Sequence, residues 1–334
     1  MNYNFKQYDH TFIIRPGKYD VDLMDNFKKD NIIYLRNDKE LLSKFVMKLL
    51  NENQKIIVTG VFDIDQYLFF WKNKYLSKTY LQFWGGDFYG YRNVKFLSKS
   101  HVKKIIMSYC INKCAGIVNL IDEDYNEISK IFSNKTKHYV GVMPADPRRE
   151  EQFSKYLNFE KENIEKTIIV GNSATRENCH IETLKMLEHL KDEDIKIICP
   201  LSYGDEKYRE EVIKKGKEIF KEKFHPITEF MNYQQYLELL SKCSVGIFNN
   251  NRQQAMGNIS ALLKIGKKIY LRNNTSMWKE YEKNNLKIFN IEEVKNATSD
   301  ELFHFDLGYK KMNYNNMIKK ESRWAEQWKV ILNS

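Results

Sequence analysis

A chain of 334 residues, 42% apolar and 29% charged, has a globular composition and is long enough for two ordinary domains, which excludes a disordered or fibrous polymer. The formal charge of +10, from 54 Lys and Arg against 44 Asp and Glu, favours anionic partners such as phosphorylated ligands or an acidic membrane face. The opening Met1-Asn2-Tyr3-Asn4-Phe5-Lys6-Gln7 supplies no apolar signal core and no run of about eighteen apolar residues occurs. The expectation is a soluble, intracellular protein, and Cys110, Cys114, Cys179, Cys199 and Cys243, odd in number and without a C-x-x-C pair, are expected to be free thiols.

In chain order, short β-branched runs alternate with stretches of helical period, the pattern of parallel α/β layers. The first half predicts strands at 12–15, 31–35, 55–59, 80–83, 116–120 and 138–142, with helices between them, notably over 38–50 and 99–112. A strongly charged stretch from Ala145 to Lys166, with Pro147 near its start, marks the linker. Strands then follow at 167–170, 195–199, 223–227, 245–248 and 268–271, alternating with helices over 178–190, 206–220, 233–241, 257–265 and 275–284. The tail 309–333 is helical by pattern and sets Trp324, Trp328 and Ile331 on one face, expected to pack on the first domain. The division expected is one Rossmann-like domain over 1–150, a linker over 151–166, a second such domain over 167–308 and a returning helix over 309–334.

Two doubly wound domains bind ligands where the carboxyl ends of their strands face a common cleft. The polar motifs of this chain all follow predicted strands. Gly171-Asn172-Ser173-Ala174-Thr175-Arg176 leads through His180 into a helix, so a turn with free backbone N–H groups and a positive helix end is expected there, suited to a diphosphate. Tyr203 and Gly204 follow the next strand, Glu229 the third, and Asn250, Arg252, Gln253, Gln254, Gly257 and Asn258 the fourth. A guanidinium grips a diphosphate bidentately, amides bond sugar hydroxyls or an acetamido group, and glycine permits close backbone approach. In the first domain Gln82-Phe83-Trp84-Gly85-Gly86-Asp87-Phe88-Tyr89 gathers aromatics and a carboxylate around a glycine pair. Aromatic faces cover sugar faces, and a carboxylate in such a pocket is raised toward the range of a general base. Asp63, in Thr59-Gly60-Val61-Phe62-Asp63, is the reserve base.

The blocks Phe83-Trp84-Gly85-Gly86-Asp87-Phe88-Tyr89, Val170-Gly171-Asn172-Ser173, His180-Ile181, Arg252-Gln253-Gln254 and Met277-Trp278 resemble, in order, those of the bacterial dTDP-N-acetylfucosamine:lipid-linked-disaccharide transferases, also called the 4-alpha-L-fucosyltransferase family. The resemblance implies a GT-B fold, with the nucleotide-sugar donor in the C-terminal domain and a sugar on undecaprenyl diphosphate against the N-terminal one. It implies work on surface polysaccharide or antigen, by a cytoplasmic enzyme peripheral to the inner face of the cell membrane. Donor contacts then fall to Gly171, Asn172, Ser173, Thr175, Arg176, His180, Tyr203, Gly204, Glu229, Asn250, Arg252, Gln253, Gln254, Gly257 and Asn258. Acceptor contacts fall to Trp84, Tyr89 and Asp63, and the base is Asp87 if the anomeric carbon inverts. No metal and no cofactor is expected, because turn amides, a helix end and Arg252 meet the charge of the leaving diphosphate.

Other readings stand beside this one. Asp63-Ile64-Asp65 has the carboxylate spacing of a metal-dependent transferase, a spacing shared by Asp122-Glu123-Asp124 in an expected acidic turn and Asp192-Glu193-Asp194 at an expected helix end. A nucleotide-sugar epimerase of the same fold uses a similar donor pocket. A binder of anionic ligands or nucleic acid rests on net charge alone, without an RNP-like, zinc or helix-turn-helix signature, and no nucleic-acid partner is expected.

Overall fold

Runs such as Ile56-Ile57-Val58 and Ile168-Ile169-Val170 are too short for helices and too apolar for loops, and they pair as strands buried between layers of helix. The computed structural model describes residues 9–15, 32–141, 153–157, 159 and 165–333. Strands β1 (Phe12–Ile14) and β2 (Ile32–Tyr34) form a parallel pair. After them come α1 (Lys44–Glu52), β3 (Ile56–Thr59), α2 (Ile64–Lys72), β4 (Thr79–Phe83), α3 (Lys99–Lys113), β5 (Gly116–Asn119), α4 (Asp122–Phe132) and β6 (His138–Val140). Strands β3 to β6 make a parallel sheet in chain order.

The second half runs β7 (Thr167–Val170), α5 (His180–Met186), β8 (Lys196–Pro200), α6 (Glu206–Phe220), β9 (Phe224–Ile227), α7 (Tyr233–Lys242), β10 (Val245–Phe248) and α8 (Met256–Lys264). It continues with β11 (Lys268–Leu271), α9 (Ser276–Lys283), β12 (Phe289–Asn290), α10 (Ser299–Phe303) and α11 (Leu307–Asn333). Its sheet is parallel in the order β12-β11-β10-β7-β8-β9. The chain leaves β7 for β8 and β9 on one side and returns to β10 on the other. The switch point therefore lies between β7 and β10, where a doubly wound sheet opens a crevice at its carboxyl edge.

Each strand of the first sheet is covered on both faces. Leu81 and Phe83 join the cluster formed with Val46, Tyr67, Met107 and Ile128 of the four connecting helices. Tyr80, Val118 and Tyr139 point the other way and meet Trp328 and Ile331 of α11. The same helix packs along α8 of the second sheet, where Lys264 pairs with Glu321 at 3.0 Å.

Several expected boundaries move for local reasons. The helix expected over 38–50 divides into a 3-10 turn, Asp38–Leu42, and α1, because Ser43 leaves the helix and caps α1 by accepting the Val46 N–H at 3.3 Å. The one expected over 178–190 starts at His180, since Cys179 is left-handed (φ +50°), and ends in a 3-10 turn, Glu188–Leu190. Asp122, Glu123 and Asp124 are not a loop but the first turn of α4, where helix polarity favours acids. Of the expected linker 151–166, residues 151, 152, 158 and 160–164 lie outside the described residues, as do Asn31 and Val142 at the ends of expected strands. Trp328 is fully buried, so Trp328→Ala is expected to destabilise the protein by about 3–5 kcal/mol, read from the shift of the urea midpoint.

Candidate active-site cleft

The crevice lip is built by the turn after β7. Gly171 has φ +66°, and a Cβ there would lie 2.4 Å from His180 Nε2 and 2.9 Å from Asn178 Oδ1, so only glycine lets the turn close on its buried neighbours. Asn178 is the hub. Its Oδ1 accepts the Asn172 N–H (3.1 Å) and an Asn250 side-chain N–H (3.0 Å), while its Nδ2 donates to Ser173 Oγ (3.2 Å) and Thr175 Oγ1 (2.8 Å). Gln254 Nε2 donates to the same two hydroxyls at 3.2 and 3.0 Å, which ties the loop after β10 to the turn after β7.

Most of the N–H groups expected to be free at this turn are already bonded. Gly171 N donates to Ile247 O, Asn172 N to Asn178, Ala174 N to Tyr203 O and Thr175 N to Ser173 O. The helix beyond it is displaced by a 3-10 turn at Arg176–Asn178. An open helix end occurs instead at α8: Ala255 precedes it with φ +59° and gives it no side-chain cap, and a Cβ at Gly257 would meet no atom within 4 Å. Four orphan N–H groups with the positive pole of a nine-residue helix stand at that end.

Unmet hydrogen-bonding capacity collects along the same lip. Asn172 Oδ1, both ring nitrogens of His180, both amide atoms of Asn249, Asn250 Oδ1 and Gln253 Oε1 are buried without a partner. Burial lowers the His180 pKa to about 4, so its imidazole is neutral near pH 7. Gly204, at φ +120°, lets the loop after β8 bridge to Ala174, and Asn172 Nδ2 donates to the Tyr203 hydroxyl at 2.9 Å. The Tyr203 ring lies nearly parallel to that of Phe230, centroids 6.1 Å apart, and both are exposed.

The first sheet answers with the loop after β4. Gly85 has φ +94°, and a Cβ on it would stand 2.5 Å from Gln253 Oε1 and 3.0 Å from the Gln253 carbonyl. Gly85 is therefore one point at which the two halves touch. Arg252 reaches over it, its Nη1 donating to the Gln253 carbonyl at 3.0 Å. Phe62 and Trp84, 58% and 40% exposed, flank Gly60 beside this contact.

Asp87 is buried beneath the loop and accepts the Trp84 N–H on both oxygens (3.1 Å each) and the Val61 N–H at 3.4 Å. Burial raises its carboxyl to about 6 against the pull of the backbone N–H groups of Trp84, Asp87, Val61 and Gly85. That geometry anchors the loop that carries Trp84. Tyr89 is also turned inward: its hydroxyl donates to Asp124 Oδ1 at 2.7 Å and meets Ser276 Oγ of α9 at 2.9 Å.

The fold thus gathers Gly171, Asn172, Ser173, Thr175, His180, Tyr203, Gly204, Asn250, Gln253 and Gln254 at the crevice, with Arg252 facing Gly85 and Gly86. It does not bring Arg176 there, because Glu211 of α6 holds its guanidinium through two bonds of 3.1 and 2.7 Å. Glu229 stands exposed on the loop after β9, and Asn258 Nδ2 is engaged by the Tyr236 hydroxyl at 2.7 Å. Asp63 is exposed at the start of α2, with its N–H held by Gln66. The motifs contained Asn178, Asn249 and Phe62, yet sequence alone did not single them out. A buried amide at a helix start is the signal that Asn178 offered.

Two parallel sheets meeting at their carboxyl rims, with one helix packed on both, define the GT-B fold of glycosyltransferases. Similar solved structures share that fold: the apo structure of OtsA (TM-score 0.63, 10% identity, 89% of this chain and 76% of that one) and a glycosyltransferase from Rickettsia africae (0.60, 14%, 97% and 90%). A UDP-forming alpha,alpha-trehalose-phosphate synthase from Burkholderia xenovorans, in complex with glucose-6-phosphate, is a third (0.61, 11%, 91% and 80%). Over residues 7–332 the chain matches the family described as 4-alpha-L-fucosyltransferase, glycosyl transferase group 56, and it belongs to that family.

The Asp124 carboxyl bears on the stability of the cleft. Burial, opposed by bonds from Tyr89 and Ser276, raises it to about 7. A folded pKa above the unfolded value of about 4 means that the native state binds more protons, so this stabilisation is full at low pH and is lost as pH rises through about 7. Asp124→Asn is expected to flatten the decline in melting temperature between about pH 5 and 8, and an unchanged decline refutes the assignment.

Proposed function

We propose that this glycosyltransferase moves an amino-deoxy sugar of the N-acetylfucosamine type from a dTDP donor to a saccharide on undecaprenyl diphosphate, at the inner face of the cell membrane. The observation that carries the reading is the row of buried, partnerless polar atoms at the β7–β10 switch point. An unpaired buried polar group costs about 1–3 kcal/mol, and hydroxyls and an acetamido group of a bound sugar complete this row. Membership of the 4-alpha-L-fucosyltransferase family supports the sugar class, and the dTDP base and lipid carrier follow from the resemblance of the motifs.

The open N-terminus of α8 and Arg252 meet the charge that develops on the departing diphosphate, so the transfer needs no metal ion. Tyr203 and Phe230 offer a parallel pair of rings on which the base stacks. Phe62 and Trp84 cover the acceptor sugar from the opposite rim. Asp63, exposed beside Phe62, takes the acceptor hydroxyl proton, whereas Asp87 positions the loop that carries Trp84.

A thermal-shift series with dTDP, UDP, GDP and ADP is expected to show the largest rise with dTDP, and no rise with any of the four refutes a donor site. In calorimetry, Arg252→Ala is expected to lose about 1.5–3 kcal/mol of dTDP affinity while remaining folded; full affinity in that variant removes Arg252 from the diphosphate. Single-turnover transfer separates the carboxylates. Asp63→Asn is expected to slow the step by about 10²–10⁴-fold with an unchanged melting curve, and Asp87→Asn to melt earlier with activity tracking its folded fraction. The reverse pattern returns the base to Asp87.

A further inference from the structure

The face of α3 turned away from its sheet is apolar where a surface helix is ordinarily polar. Val102, Ile105 and Tyr109, three and four residues apart, stand exposed in one row, while Met107, Cys110 and Ile111 are buried on the inner side. Phe96 and Leu97, 78% and 80% exposed, extend the row at one end. Trp71 of α2 extends it at the other, its ring edge-on to Tyr109 at 5.5 Å. The tip is held outward by its own chemistry. Leu97 has φ +61°, a region that bulky side chains rarely enter, and Ser98 donates to the Lys95 carbonyl (2.7 Å) while capping α3 at the His101 N–H (3.1 Å).

Charge decides what such a row fits. Between Asp87 and Asp122 the chain has no acidic residue and carries Arg92, Lys95, Lys99, Lys103, Lys104 and Lys113. The helices packed beside α3 bring Asp65 on α2 and Asp122, Glu123, Asp124 and Glu127 on α4. Of these, Glu127 is held by Arg92 and Lys130, Asp122 by Lys283, and Asp124 is buried.

We propose that this face of α3 docks on an anionic lipid bilayer, its aromatic and aliphatic side chains entering the headgroup boundary while the lysines meet lipid phosphates. A helix that follows a parallel strand starts at the carboxyl edge of the sheet. Phe96 and Leu97 therefore belong to the rim that carries Phe62 and Trp84, and docking brings that rim to the bilayer. The use of this surface rests on the lipid-linked acceptor proposed above; its test does not.

The full chain, without nucleotide sugar, is floated with vesicles of phosphatidylcholine alone or with about one third phosphatidylglycerol, at about 50 and 500 mM salt. The expected result is binding to the phosphatidylglycerol vesicles at low salt, released at high salt and absent on phosphatidylcholine. Leu97→Ser with Ile105→Ser, and separately Lys99→Glu with Lys103→Glu, are each expected to lower binding by about tenfold or more, with melting temperature and dTDP affinity unchanged. No flotation of the parent chain, equal flotation of either variant, or loss of a dimer in sedimentation velocity on substitution overturns the proposal. Failed flotation with intact dTDP binding removes the docking face alone, whereas flotation without dTDP binding removes the donor reading alone.

Discussion

Residue 85 has no room for a side chain, and the distance between the two sheets is set by that. Loops from opposite halves come within van der Waals range there, with Gln253 and Arg252 on one side and the Trp84–Gly86 stretch on the other. The buried Asp87 carboxylate serves that contact, since its bonds to Trp84 and Val61 fix the left-handed turn from which Gly85 projects.

Away from the glycine contact, α9 works as the seam. Its Ser276 meets Tyr89 at one end and its Lys283 meets Asp122 at the other, both partners belonging to the first half of the chain. Midway along, Glu280 turns back to Lys320 of α11 in a buried ion pair. Such a pair adds little net stability over an apolar filling, but losing one partner leaves an uncompensated charge that costs about 3–5 kcal/mol. Polar groups of fixed geometry thus join the halves along α9, beside the apolar packing of α11 on the first sheet.

Strand positions were legible because apolar β-branched runs announce themselves: 167–170, 245–248 and 268–271 stand where the runs do. The family was legible from motif order, and the crevice from the rule that motifs follow strands. What stayed hidden was which donors are already spent. Two amides of the turn after β7, those of Gly171 and Ala174, are satisfied by Ile247 and Tyr203, groups brought there by sheet order and not by sequence proximity. Likewise nothing local reveals that Gly85 faces Gln253 or that Tyr89 faces Ser276, because those partners meet only after both halves have folded, and Asp124 reaches Tyr89 only once α4 packs on the first sheet. The ion pair that occupies Arg176 shows the same limit: an arginine beside a phosphate-binding pattern reads as a ligand until Glu211 is seen on α6.

The long closing helix α11 reverses the order in which the halves can mature. Tyr80, Val118 and Tyr139 are made well before the side chains that cover them, Trp328 and Ile331, which belong to a helix that follows the second sheet in the sequence. At about 5–20 residues per second, the first sheet waits many seconds with one apolar face open while the second half is still being translated. The half that emerges first is thus completed last. Until Trp328 and Ile331 emerge, a nascent chain of this protein keeps a defined apolar surface uncovered, and it is the arrival of α11 that closes it.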